Sequence, residues 1–310
     1  MRRAAVFAFA LLAFAPVTAS ATWSVTAVDP RTREVGIAGA SCTPNVMGIA
    51  GVVPGRGVIA AQALTNGAAR QRGMEMLRAG ASPAEIVRAV TDSAFDPVFG
   101  LQQYGVAALG HAPAAYTGAE TDGWHGHEVD ADVSVQGNLL VGPRVVGDAM
   151  AAFRVAAADT TMRLSDRLLL ALEAGAAAGG DARCPGQTAL SAFLIVAGPG
   201  DRRGAAFVRL YVNGQLEGGA NPVALLRQRY DAWRRLIRGH VEGGAGVMNV
   251  NTANVTGPGL PLQGRSSIMS IVLMQDIRLL HHRPRHAHAT HGGNRPYLPL
   301  QQPLSLLPMG

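Results

Sequence analysis

The stretch Thr18–Pro30, TASATWSVTAVDP, joins two kinds of chain. Ala19-Ser20-Ala21 is a small-x-small triplet of the kind cleaved at the end of an export signal. Upstream of it, Arg2 and Arg3 give a basic start, and AAVFAFALLAFA is an apolar run too short to span a bilayer. The paired arginines also fit a twin-arginine route. Downstream, TWSVTAV alternates polar and apolar residues and is rich in β-branched types, which is the pattern of a strand. Cleavage after Ala21 would leave a chain opening Thr-Trp-Ser. Thr22 would then carry a nucleophilic hydroxyl beside a free α-amine, which titrates near ~7.7–8.0 and can serve as its base. A plainer reading stands beside this one, because threonine is an ordinary strand residue.

Working outward, DPRTRE makes a turn with Pro30 fixing the backbone, and EVGIAGAS returns as a second strand. GVIAAQAL is a third, and the three are expected to form an antiparallel meander. ARQRGMEMLRAG reads as a helix stopped by Gly80. SPAEIVRAV reads as a second, with Ser82 as cap, Pro83 in the first turn and Glu85 reaching back. YGVAAL and AAYTGA make a hairpin, and DVSVQGNLLVG a strand with a polar interruption. A helix pair follows: PRVVGDAMAAF, with Val145, Val146, Ala149, Met150 and Phe153 on one stripe, then SDRLLLALEAGAAAGG, with Ser165 as expected cap. LSAFLIVAG and AAFVRLYVNG are strands, and NPVALLRQRYDAWRRLIRG is a last helix capped by Asn221. Strand runs alternating with helix pairs exclude a doubly wound parallel sheet. They point to an α+β fold with two antiparallel sheets between helical layers.

The expected organisation is a signal peptide over 1–21, a folded body over 22–238, and a Gly-, Asn-, Pro- and His-rich tail over 239–310 that is largely disordered. Hydrophobic residues are 48% of the 310-residue chain and aromatics 5%, so the core is built from small and aliphatic side chains. The net charge of +6 does not describe the body, which holds 20 arginines against 19 acids. That balance carries no footprint for nucleic acid. All 27 basic residues are arginine, which excludes lysine-based catalysis. Two cysteines, Cys42 and Cys184, suit one disulfide in an exported protein, periplasmic or secreted.

The ordered segments TWSVTAVDPRTREVGIAGAS, GVIAAQALTN, RGMEMLRAG, TGAET, VQGNLLVG and GGDAR, with the closing NPVALLR, resemble the domain of unknown function 1028 family. That family is placed in the N-terminal nucleophile (Ntn) hydrolase-like superfamily. The resemblance implies a four-layer αββα sandwich and a chain start at the position of Thr22. It supplies no substrate. The chain departs from the family's GGDxRGxQSAAL in reading GGDARCPGQTAL, which inserts the cysteine into the loop.

With Thr22 as catalytic candidate, Asn66 and Asn138 at strand ends suit oxyanion donors, although asparagine there also serves as a cap or turn residue. Gln62 and Gln136 are amides inside apolar strands that need buried partners, and with Ser41 and Asp181 they are the candidates for binding substrate. Glu120, Asp181 and Arg183 are candidates for orienting substrate or amine; a surface ion pair is the plainer reading of Asp181 with Arg183. A Cys42–Cys184 bridge would bring Arg183 and Ser41 close to Thr22. His125 and His127, among acids, read as a polar hairpin rather than a metal site, and HHRPRHAHATH as a compositional tract.

No metal or cofactor is expected. The expected function is an exported amide-cleaving hydrolase acting on a small molecule or peptide. It would have no nucleic-acid partner and no membrane span after cleavage, and the sequence leaves a homo-oligomer open. The alternative is an inactive ligand-binding or structural protein of the cell envelope, or one whose basic tail touches anionic polymers.

Overall fold

Ten strands and five helices follow one another in the computed structural model, which describes residues 21–202 and 204–242. The expected signal peptide up to residue 20 and residues 243–310, SSIMSIVLM and the histidine tract included, lie outside the described residues. The first strand, β1 (Thr22–Asp29), turns into β2 (Glu34–Ser41) as expected, with Trp23 opposite Ala40 and Asp29 opposite Glu34. The third expected strand is different. A short strand, β3 (Ala50–Val53), precedes β4 (Gly57–Ala63), and this pair belongs to a second sheet. The meander therefore ends at Ser41, and the chain crosses to the facing sheet.

Helices α1 (Gly67–Ala79) and α2 (Pro83–Val90) follow. Gly80 ends α1 in the left-handed region, φ 86°, which glycine adopts without a Cβ clash. Ser82 and Glu85 close the capping box of α2. Next come β5 (Gln102–Ala108), β6 (Ala114–Thr117), β7 (Trp124–Asp130) and β8 (Val133–Leu140). The chain continues through α3 (Arg144–Ala158), α4 (Leu164–Ala177), β9 (Ser191–Ala197), β10 (Val208–Val212) and α5 (Pro222–Glu242). All neighbouring strands pair antiparallel, in the orders β10-β9-β2-β1-β8-β7 and β3-β4-β5-β6.

Side-chain alternation decides what each sheet face meets. Trp23, Val25 and Ala27 of β1 pack with Val145, Met150 and Phe153 of α3 and Leu168 and Leu172 of α4. Ile59 and Val106 pack against Leu77 of α1 and Ile86 of α2. Between the sheets, Val35, Ile37, Phe193 and Ile195 of the larger sheet meet Val58, Ala60 and Ala107 of the smaller.

Ser165 is not the cap of α4. The helix begins one residue earlier, and the buried Ser165 hydroxyl pairs instead with Tyr230 Oη at 2.7 Å. That bond, with Arg234 and Tyr230 on Asp166, ties α5 to α4. Asn221 caps α5 by accepting from the backbone N–H of Val223 and Ala224.

Candidate functional site

The alternation that sends Trp23 and Val25 toward the helices sends Thr22, Ser24 and Thr26 toward the second sheet. On β8 the same parity turns Ser134, Gln136 and Asn138 inward. A polar seam thus runs between the sheets beside the apolar cluster of Val35, Ile37 and Phe193, and every member is buried. Ser24 Oγ donates to Gln62 Oε1 at 2.6 Å, and Gln136 Nε2 donates to Ser24 Oγ at 2.6 Å. Ser134 Oγ donates to Gln136 Oε1 at 2.7 Å. Gln62 Nε2 reaches the Thr22 carbonyl at 3.2 Å and Gln103 Oε1 at 2.8 Å. Gly105 leaves the room this needs, because a Cβ there would collide with the Gln136 amide.

Gln103, absent from the sequence expectations, is the hub. The two hydrogens of its Nε2 are shared among three acceptors in range, the Gly137 carbonyl at 2.8 Å, the Gly126 carbonyl at 3.1 Å and Thr117 Oγ1 at 2.9 Å. Carbonyls only accept, so this end of Gln103 must be the NH2. Its Oε1 is then the acceptor for Gln62, and for Asn138 Nδ2 at 3.1 Å. Asn138 therefore commits one of its two Nδ2 hydrogens to Gln103, and its Oδ1 has no hydrogen-bond partner although the residue is 1% exposed. Asn138 is a cross-strand neighbour of Thr22. It offers an unpartnered acceptor there, Oδ1.

Donors do converge one residue before Thr22. The Ala21 carbonyl accepts from Ser41 Oγ and from Arg183 Nη2, the latter at 3.2 Å. Thr43 Oγ1 donates to Ser41 Oγ at 3.1 Å, which leaves the serine hydrogen for Ala21. Arg183 is set by Asp181, which is fully buried and takes Arg183 Nε at 3.1 Å and Nη2 at 2.9 Å. The same carboxylate accepts the backbone N–H of Cys42 at 2.7 Å and of Arg183 at 3.0 Å. Cys42 and Cys184 form the expected disulfide, with Cα atoms 5.8 Å apart. Each half-cystine is the chain neighbour of one donor, Ser41 or Arg183.

Backbone strain gathers at this end. Five described non-glycine residues have positive φ, and three of them adjoin the site: Ala63, Leu139 and Thr188. Ala63 follows Gln62, Leu139 follows Asn138, and the Thr188 carbonyl accepts from Asp181 N–H at 3.0 Å. Left-handed backbone is costly for β-branched residues such as Thr188, and such strain collects at functional sites.

Other expected residues stand apart. Asn66 caps α1, with Oδ1 accepting from Ala69 N–H at 2.9 Å and Nδ2 donating to Asp96 at 2.8 Å. Both ends of that amide are thus engaged, one in the helix cap and one with Asp96. Glu120 is exposed with its carboxylate against Gly100, and no described hydrogen bond joins it to Thr22 or Arg183. His125 Nδ1 meets the Gly123 carbonyl at 2.9 Å and His127 Nδ1 meets Thr117 Oγ1 at 2.8 Å. Among the described residues no group of three or more His, Cys, Asp or Glu could hold a metal ion. Two surface clefts of about 300 and 290 Å³ lie elsewhere, one along α4 and α5 and one beside the β1–β2 turn. Thr22 lines neither and is fully buried.

A model of a family of unknown function, DUF1028, matches residues 22–222, and the chain belongs to that family. The match starts at Thr22. The crystal structure of protein SPO2555 from Silicibacter pomeroyi, also DUF1028, is similar at 29% identity and TM-score 0.58. The similarity covers 69% of this chain and 86% of that one. No curated protein matches. No described helix is long and apolar enough to cross a membrane.

Proposed function

We propose that the chain is an exported precursor whose body is the four-layer αββα sandwich of N-terminal nucleophile hydrolases. Loss of residues 1–21 frees Thr22 as the nucleophile of an amidohydrolase. The observation that carries this reading is the Ala21 carbonyl, held by Ser41 and Arg183 directly before Thr22. Ala21 is covalently joined to Thr22, so its oxygen marks where a substrate acyl oxygen would lie once the leader is gone. Ser41 and Arg183 are then the oxyanion donors.

The chemistry closes without a cofactor. Thr22 Oγ attacks the carbonyl carbon of an amide and its proton passes to the α-amine. The tetrahedral intermediate collapses as the C–N bond breaks, and the ammonium returns the proton to the leaving amine. Water, deprotonated by the same amine, then cleaves the acyl ester and restores Thr22. Arg183 beside the amine favours its neutral, basic form. Peptides, cell-wall fragments and acylated small molecules are the substrate classes that fit.

A second reading, a cell-envelope protein that binds without turnover, draws on the complete burial of Thr22. The first residue of the exported protein, read by mass spectrometry, is expected to be Thr22. A start at Ala21 or Ser24, or a retained leader, would refute the nucleophile. Turnover of N-acyl amides by wild type, lost in Thr22→Ala, separates the two readings.

A further inference from the structure

We infer that Asn138 Oδ1 is the acceptor for the Thr22 α-amine, and that it orients the amine's lone pair toward Oγ1. The inference rests on the Thr22 reading and adds a positioning residue to it.

Three observations converge on it. First, the orientation of the Asn138 amide is determined. The Gly126 and Gly137 carbonyls demand the Gln103 NH2, so Gln103 Oε1 faces Asn138 and Asn138 Nδ2 must point back at it. Second, Asn138 Oδ1 is left without a partner at a residue that is 1% exposed. A buried amide oxygen without a donor is costly and calls for an explanation. Third, Asn138 is paired across the ladder with Thr22, and both side chains share the inward face. Directly opposed residues hold their Cβ atoms roughly 4.5–5.5 Å apart, within reach of an amide oxygen and the neighbouring backbone nitrogen.

In the uncut chain the Thr22 nitrogen carries one hydrogen. Hydrolysis of the Ala21–Thr22 bond gives it one or two more, as amine or ammonium. The orphaned oxygen is thus an acceptor whose donor is made by maturation. An acceptor on one N–H fixes the rotation of the amine and leaves its lone pair for the Oγ1 proton.

Arg183 and Asp181 form an ion pair at this end, and His127 joins the network through Thr117 and Gln103. Ser41 on β2, Gln62 on β4, Gln103 on β5 and Asn138 on β8 are neutral. Arg183 disfavours the ammonium, whereas a carbonyl acceptor favours it.

The test uses a peculiarity of this sequence. The chain contains no lysine, so the mature protein has one primary amine. Its titration can be followed by pulse acetylation with acetic anhydride at a series of pH values, read on the N-terminal peptide by mass spectrometry. Asn138→Asp is expected to raise the midpoint by about one pH unit, and Asn138→Leu to lower it. In unsubstituted mature protein, the Asn138 side-chain amide resonances should shift with the same midpoint. Midpoints that stay at the wild-type value in folded variants overturn the inference. So does an Asn138 amide signal that ignores the amine's titration, a result that needs no variant to fold. A first residue other than Thr22 would defeat the nucleophile reading itself, whereas a Thr22 start with unmoved midpoints defeats only the role of Asn138.

Discussion

Replacing Gln103 with leucine removes the centre of the inter-sheet seam at nearly constant volume. Three acceptors lose the two hydrogens of Nε2, and two donors lose Oε1. Their losses are unequal. Gln62 keeps the Thr22 carbonyl and Ser24, and Thr117 keeps His127. Asn138 Nδ2 loses the one described bond it makes, beside an Oδ1 that already has none. A buried donor stranded this way costs about 1–3 kcal/mol, and the Gly126 and Gly137 carbonyls each lose an interaction of about 1 kcal/mol. The expected destabilisation is therefore about 3–5 kcal/mol, a large share of the ~5–15 kcal/mol typical of a domain. In urea unfolding that corresponds to a midpoint lowered by about 2 M. Gln103→Glu keeps the size but faces a carboxylate toward two carbonyls, so its stability should fall as pH rises and the buried carboxyl ionises. A Gln103→Leu midpoint within about 0.3 M of wild type would refute the reasoning, because the seam would then be hydrated or dispensable.

Reducing the Cys42–Cys184 bridge, which closes a separation of 142 residues, should cost up to about 5 kcal/mol in denaturant unfolding if loop entropy dominates. Unchanged unfolding after reduction and alkylation would count against that. Thr65→Gly should stabilise the protein by about 0.5–1 kcal/mol, read as a higher melting temperature, by relieving a β-branched residue at φ 53°. A lower melting temperature would show that the exposed Thr65 side chain matters more than its backbone. Burial pushes the Asp29 carboxyl up, but hydrogen bonds from Arg31 and the charge of Arg167 outweigh it and hold the group below its usual range. Its contribution is present above the unfolded value of about 3.9 and is lost as pH falls through the lower folded value. Asn in place of Asp29 should flatten the acid limb of a stability–pH curve, and an unaltered limb would contradict the assignment.

Local chemistry was the legible part of this fold. Ser82 with Glu85, Gly80 and Asn221 terminate their helices as read, because each cap is satisfied within its own turn. Ser165 does not cap α4 because its hydroxyl is claimed by Tyr230, 65 residues away, which no local pattern displays. The strand Ala50–Val53 is too short, with a glycine inside it, to carry an alternation signal. In the seam, Thr-x-Ser-x-Thr on β1 and Ser-x-Gln-x-Asn on β8 show the period of two in plain view. Such alternation ordinarily marks a solvent face, and here a second sheet covers it. Gln103 lies just before the strand-like YGVAAL, and its place in the strand shows only when the alternation is continued back through Gln102 and Gln103. Arg183 is legible in GGDAR itself, whereas Ser41 is reached only through the cysteine beside it. Asn66 and Asn138 had the right residue type for a donor, but the direction of an amide is set by its partners.

The central claim is that Thr22 becomes an N-terminal nucleophile. Its most direct test is to treat the exported protein with a β-lactone and map the adduct by peptide mass spectrometry. One adduct is predicted, on the peptide that begins at Thr22, and it should be absent from Thr22→Ala. No adduct on wild type, or equal labelling of Thr22→Ala, would contradict the account.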